Sequence, residues 1–292
     1  MKNSIITICF LSLLSCKSQT EKKLQEVYSF PNELKEVSGM MYDSNSNLLF
    51  VLEDSGNKNI LFGLDSTGEI KSQVLIKEVH NHDWEALTKD EKGDFYIGDF
   101  GNNKNERTDL SIYKIANSDL QKKEAAVLQT TSFFYPEQKK FPPKNTELFF
   151  DAESFIVHKE YFYVFTKNRS KGFDGTFYVY KIPNKPGKFE AKRIATLKSC
   201  NHYRHCAITD AALSPDGKTI ALLSSSRVWL ISDFENDVFT EKNIQMYDLN
   251  HTSQKESIVF RDEQTLWISD EVKKKEGGKL YRITLTDLKG KP

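Results

Sequence analysis

Asp83-Trp84-Glu85-Ala86-Leu87-Thr88-Lys89-Asp90 leads through a polar turn into Gly93-Asp94-Phe95-Tyr96-Ile97-Gly98-Asp99-Phe100-Gly101-Asn102-Asn103. The stretch has an acidic lead-in, a short apolar run, a polar turn, a second apolar run and an acidic loop rich in Gly and Asn. Two apolar runs joined by a polar turn read as a β-hairpin. Four other segments align on this one: 36–43 with 48–56, 151–157 with 161–168, 210–217 with 219–224, and 256–262 with 265–271.

A third strand is expected after each hairpin, at 60–64, 111–115, 176–182, 227–231 and 279–283. Four units then offer a fourth, at 69–76, 127–135, 192–197 and 243–249. The last unit has none, but a spare apolar run at 24–30 precedes the first unit and would complete it. Units of about 40–50 residues with four strands each mark a β-propeller. The expected fold is therefore all-β, with five four-stranded blades, and a sixth has room only between Gln121 and Phe150. Sharing one blade between the termini closes the ring and protects its sheet edges. A β-sandwich contains similar hairpins but needs no acidic residue recurring at one place in each.

The chain has 41 Lys and Arg against 41 Asp and Glu, so its formal net charge is zero. No basic excess argues for nucleic acid or an anionic membrane surface as partner. The 20 Phe and 12 Tyr suit packed sheets. There is no P-loop, G-x-S-x-G, H-E-x-x-H or EF-hand loop.

Residues 1–15 carry one lysine and then an apolar run, Ile5 to Leu14, too short to span a bilayer and placed like a secretion signal. Leu13-Leu14-Ser15-Cys16 resembles the bacterial lipobox. That resemblance implies cleavage before Cys16, lipidation of that cysteine (palmitate included), and residues 16–23 as the lipidated cysteine and its tether. The propeller domain is then 24–288. The expected location is a bacterial cell envelope, at the outer membrane, with the lipid as the only membrane attachment. Export permits disulfides, and Cys200 and Cys206 enclose five residues, so a Cys200–Cys206 bridge is expected before blade 4. A metal site adding His202 and His205 is the alternative, but the spacing fits no zinc pattern.

In a propeller the innermost strand of each blade starts on the face where ligands usually bind, and the loop between strands two and three returns there. The recurring acids fall at these two places. Strand starts carry Glu85, Glu153, Asp210 and Glu256, with Ser38 in the aligned position of blade 1; Glu36, Asp83 and Asp151 lie two residues earlier. The returning loops carry Asp54, Asp99 with Asn102, Lys167, Arg227 and Asp270. Carboxylates crowded at one opening raise each other's pKa or are compensated by a cation, and Asp and Asn oxygens suit calcium. Glu85, Asp99, Asn102, Glu153, Asp210 and Glu256 are thus the expected metal ligands. Glu36, Asp54, Asp83, Asp151, Lys167, Arg227 and Asp270 are expected to touch a ligand. The other reading is that these acids hydrogen-bond the next blade and cement the ring. His80 and His82 lie close enough to Asp83 to act as acid or base groups.

The blade pattern and its Asp-x-Glu-x-[Leu/Phe] strand starts resemble exported bacterial propellers of the SdiA-regulated and esterase-like phytase type. More distantly they resemble the calcium-dependent lactonase, gluconolactonase and paraoxonase propellers. In the lactonase group a channel-mouth glutamate with Asn and Asp side chains holds calcium; Glu85, Asp99, Asn102 and Glu153 match in kind. Two functions follow as expectations. The first is a monomeric binding module with an acidic channel mouth for a small molecule, glycan or envelope protein. The second is a calcium-dependent hydrolase of esters, lactones or phosphoesters, with His82 or Asp83 as base.

Overall fold

Five sheets arranged in a ring build the computed structural model, which describes residues 24–273 and 276–290. The anchor cysteine Cys16 and the signal lie outside the described residues. Strand β1 (Gln25–Ser29) precedes blade 1, which holds β2 (Val37–Asp43), β3 (Leu48–Glu53), β4 (Ile60–Leu64) and β5 (Ile70–Ile76). Blade 2 follows with β6 (Trp84–Lys89), β7 (Phe95–Asp99) and β8 (Ser111–Ile115); after the short β9 (Glu124–Ala125) comes its outer strand, β10 (Val127–Phe134). Blade 3 uses β11 (Asp151–His158), β12 (Tyr161–Lys167) and β13 (Thr176–Pro183), then, past β14 (Gly187–Glu190), β15 (Lys192–Lys198). A helical turn, α1 (Tyr203–Cys206), leads to blade 4: β16 (Asp210–Leu213), β17 (Ile220–Leu223), β18 (Arg227–Ile231) and β19 (Ile244–Asp248). Blade 5 is β20 (Lys255–Asp262), β21 (Thr265–Asp270) and β22 (Lys279–Thr284), and α2 (Leu285–Lys289) follows it.

The expected closure is present: β1 pairs antiparallel with β22 and completes blade 5. The stretch with room for a sixth blade instead supplies β9 and β10. β9 lies parallel on the outer edge of blade 1, and β14 lies parallel on the outer edge of blade 2. Each strap comes from the following blade and covers edge amides that would otherwise invite another chain. After blade 5, α2 is capped by Thr284 and buries Leu285 and Leu288.

Inner strands are covered on both faces, so they read as continuous apolar runs. All of β2 and β7 is buried, and so is β11 up to its last residue. Outer strands alternate, as β5 and β10 do. Apolar side chains fill the wedges between neighbouring blades. Gly39 shows how tight the centre is: a Cβ there would stand 2.8 Å from the Leu87 amide of blade 2.

Polar links cross the blade junctions. Ser38 Oγ donates to the Trp84 carbonyl at 2.7 Å, joining blades 1 and 2. The Asn102 amide donates to Asp151 Oδ1 at 2.7 Å, joining blades 2 and 3. Lys181 and Tyr163 of blade 3 both donate to Asp237 beside blade 4. Ser257 Oγ donates to Asp210 Oδ2 at 2.7 Å and accepts from the Met40 amide at 2.9 Å, so one hydroxyl ties blades 4, 5 and 1. Removing it leaves a buried carboxylate and a buried amide each one partner short. Ser257→Ala is therefore expected to lower unfolding free energy by about 1–3 kcal/mol, read by urea denaturation; an unchanged midpoint would show that the junction does not depend on this hydroxyl.

Candidate functional site

Four of the five inner strands begin with a β-bulge at the same place. In blade 2, Trp84 pairs with Asp99 and Ala86 with Gly98, leaving Glu85 as the extra residue. Glu153 is left over in blade 3 and Glu256 in blade 5. Ser38 is left over in blade 1, while blade 4 pairs without a shift at Asp210. A bulge re-aims the side chain it leaves unpaired. The three glutamates sit at the end of the channel where the strand 2–3 loops return.

On the blade 3 side the acids are neutralised. Lys167 Nζ bonds Glu153 Oε2, and Arg169 bonds Glu153 Oε1 at 2.5 Å and Asp151 Oδ2 at 2.6 Å. Arg169 also reaches Tyr203 and Asn103. These carboxylates raise both cations above their ordinary pKa, against burial, which acts the other way.

The other side lacks such partners. Glu36, Asp54, Asp83, Glu85, Glu256 and Glu271 form no ion pair among the described residues. Glu85 is only 8% exposed, and its carboxylate has no hydrogen bond among the described residues. Burial first, then Glu153, Asp83 and Asp151, pushes its pKa well above the ordinary range. Asp83 rises to about 6, through burial and then Asp151. Asp54 rises to about 7 through burial, Glu36 and Glu271. Burial and Glu36 raise Glu271 to about 7. Burial lifts Glu256 to about 8, although Lys167 pulls it down. Gly101 makes room for this crowding: a Cβ there would stand 2.3 Å from Glu85 Oε1 and 2.4 Å from Asp83 Oδ2.

The residues expected as calcium ligands do not come together as one set. Asp99 turns into its own blade, accepting from the Asp83 amide at 3.1 Å and Arg107 at 2.9 Å. Asn102 donates to the Phe150 carbonyl and accepts from the Arg107 amide. Asp210 accepts from the Ala211 and Ile258 amides and Ser257, so it cements the ring. Glu153 is spent on Lys167 and Arg169. Only Glu85 and Glu256 keep free oxygens facing the mouth. Among the described residues no group of three or more His, Cys, Asp or Glu side chains is arranged to hold a metal ion.

Two expected ligand contacts also lie elsewhere. Asp270 accepts from the Lys279 amide and the Tyr281 hydroxyl, both at 2.9 Å. Arg227 stands over the disulfide, with Nη1 2.9 Å from Cys200 Sγ and 2.7 Å from Cys206 Sγ. That bridge is formed as expected, with Cα atoms 5.5 Å apart.

Several site residues carry no repeating signal. Arg169 lies two residues past Lys167, outside the aligned columns. Arg107 comes from the long loop after β7. Lys255 is fully buried and holds the ladder position that Asp151 holds in blade 3; its partner is Asp270 where Asp151 has Lys167. Its Nζ meets His251 Nδ1 and Ser253 Oγ, each at 2.8 Å, and burial lowers its pKa to about 8. His82 Nδ1 lies 3.1 Å from Asp109 Oδ2, with both side chains exposed. A cleft of about 600 Å³ lies at the opposite end of the propeller, walled by His158, Tyr161, Tyr163 and Phe234. Its central Lys181 and Asp237 are already bonded to each other, so the uncompensated charge lies at the mouth.

No family model matches the chain, and no curated protein matches it. Solved structures share its architecture. Aldose sugar dehydrogenase from Streptomyces coelicolor, in its PQQ-bound form, superposes with a TM-score of 0.50 at 8% identity, covering 89% of this chain and 97% of that one. Hydrazine synthase of Kuenenia stuttgartiensis gives 0.45 at 12% identity over 86% and 72%. A nidogen/laminin complex gives 0.44 at 8% over 81% and 72%. At these identities the likeness concerns the β-propeller fold alone.

Carboxyls with raised pKa make the native state bind more protons than the unfolded chain between about pH 4.5 and 8, so stability falls as pH rises through that window. Lys255 works in the opposite sense only above about pH 8. The melting temperature at pH 5 should therefore exceed that at pH 8 at fixed ionic strength, and Glu256→Gln should narrow the gap. Equal slopes for wild type and variant would remove Glu256 from the cause.

Proposed function

We propose that this chain is an exported, lipid-anchored, monomeric binding module of a bacterial cell envelope, whose acidic channel mouth captures a positively charged ligand. One observation carries the reading: carboxylates from blades 1, 2 and 5 face a single opening without cationic partners, and Glu85 is buried there with none. Folding alone would favour apolar or paired side chains at such a place, since a buried unpaired charge is costly. A cation bound between them would recover that cost. The propeller supports the module class, and the lipobox-like residues at Cys16 support the address.

Calcium is the inorganic candidate for this ligand, and Glu85 and Glu256 are the expected metal ligands whose carboxylates remain uncommitted. Calorimetry on the domain from Lys17 onward, with a thermal melt with and without chelator, tests it. If calcium is the ligand, one equivalent binds, chelator lowers the melting temperature, and Glu85→Gln abolishes binding. Without ligand, Glu85→Gln should raise the melting temperature at neutral pH, because it removes the cost of burying a carboxyl that ionises in the unfolded chain. A lower melting temperature would mean that Glu85 supports the ring.

A second reading, a hydrolase of esters, lactones or phosphoesters, is favoured by the His82–Asp109 contact, a base oriented by a carboxylate one residue from Asp83. It requires turnover of a small ester, lactone or phosphoester panel that His82→Gln removes. No turnover across the panel would leave the binding module alone.

A further inference from the structure

We infer that the Cys200–Cys206 bridge is a redox-active site, exchanged reversibly by an external thiol reductant, and that Arg227 is the residue that makes it so. The inference stands whatever ligand the mouth takes. Two observations carry it: where the guanidinium sits, and what it lacks.

Arg227 begins β18, and its Nη1 lies 2.9 Å from Cys200 Sγ and 2.7 Å from Cys206 Sγ. A disulfide sulfur is neutral and a weak acceptor, so it offers a cation little. The rest of the guanidinium is poorly served too. Its Nε is buried and has no hydrogen-bond partner among the described residues. Its one ion pair among them is with Asp248, whose Oδ2 stands 3.7 Å from Nε and whose side chain is exposed. A desolvated cation held against neutral sulfur is costly. A thiolate at either sulfur supplies the missing counter-charge. Arg227 therefore favours the reduced form over the oxidised one, which makes the bridge easier to reduce.

The two sulfurs are unequally placed. Cys206 is fully buried, while Cys200, two residues past β15, is half-buried. An incoming thiolate therefore attacks Cys200 Sγ. A bond forms between the reductant's sulfur and Cys200 Sγ, the Cys200–Cys206 bond breaks, and its electron pair leaves on Cys206 Sγ, the sulfur nearer Arg227. A thiolate stabilised in this way is the better leaving group. The reductant's second thiol then displaces the Cys200 sulfur and closes the reductant's own disulfide. Two electrons reach the protein; of the two thiol protons, one ends on the Cys200 sulfur and the other in solvent.

Reduction has something to act on. The bridge closes the loop that carries α1, where the Tyr203 hydroxyl accepts from Arg169 at 2.9 Å and its ring packs edge-on against Phe173. Arg169 is a cation that holds Asp151 and Glu153 at the mouth. Opening the bridge removes the covalent tie on the Tyr203 loop, and with it one support of Arg169.

A series of dithiothreitol redox buffers tests the inference, with Cys200 and Cys206 alkylated after acid quenching and denaturation and read by peptide mass spectrometry. Arg227→Gln should need a roughly tenfold higher ratio of reduced to oxidised dithiothreitol for half-reduction than wild type. Asp248→Asn removes the competing acid from an exposed position and should need a roughly twofold lower ratio. In the reduced protein one thiol should ionise below the free-cysteine value of about 8.5, read as the reduced-minus-oxidised ultraviolet absorbance of thiolate, and Arg227→Gln should return it to that value or above. An arginine with a merely structural role would leave that midpoint unmoved. Half-reduction at one ratio in all three proteins would overturn the inference, and so would a wild-type reduced form with both thiols ionising at or above the free value. If Arg227→Gln does not fold, the Asp248→Asn shift and the wild-type midpoint decide alone.

Discussion

Five inner strands meeting around one axis bring side chains together that are far apart in sequence, and carboxylates are what the strand starts deliver there. The energetic constraint is desolvation. A carboxylate held out of water needs a cation, several donors or a proton. The molecule uses each solution in a different blade. Asp210 takes three donors from its own and the neighbouring strand. Glu153 and Asp151 take Lys167 and Arg169. Glu85 and Glu256 take neither; burial moves the protonation equilibria of all four acids upward, Glu153 and Asp210 included, and these two lack a compensating partner among the described residues. That difference in partners is what the proposed cation-binding mouth rests on.

The fold was legible because propeller strands carry a repeated local pattern. Hairpin, third strand and fourth strand recur in order, and the apolar run before blade 1 had no other place than the open edge of blade 5. The straps β9 and β14 were not legible. Each is two to four residues long, pairs through backbone alone, and shows no apolar alternation. Nor was α2 visible: no element was expected after the strand at 279–283, and Leu285 and Leu288 lie on a capped turn packed against blades 4 and 5.

The site was legible as a column but not as a set of roles. Alignment put Glu85, Glu153, Asp210 and Glu256 at one end of the ring, and there they are. Register decides which of them can serve a ligand, and register is a tertiary property. The bulge at Glu85 and its absence at Asp210 cannot be read from Asp-Trp-Glu-Ala against Ile-Thr-Asp-Ala. Asp99 and Asp270 looked like loop acids but are last residues of strands, where Tyr113 and Tyr281 lie within reach on the adjoining strand. Arg169 and Arg107 come from loops of differing length, so no repeat marked them.

The desolvated mouth is tested most directly by its own titration. Carbon-13 carboxyl shifts of the domain, assigned by Glu85→Gln and Glu256→Gln and followed from pH 3 to 9, report each midpoint. Glu256 should titrate near 8 and Glu85 well above the ordinary glutamate value of about 4.3. Midpoints for both at that ordinary value would contradict the picture: the two carboxylates would be solvated or paired, and nothing at the mouth would call for a cation.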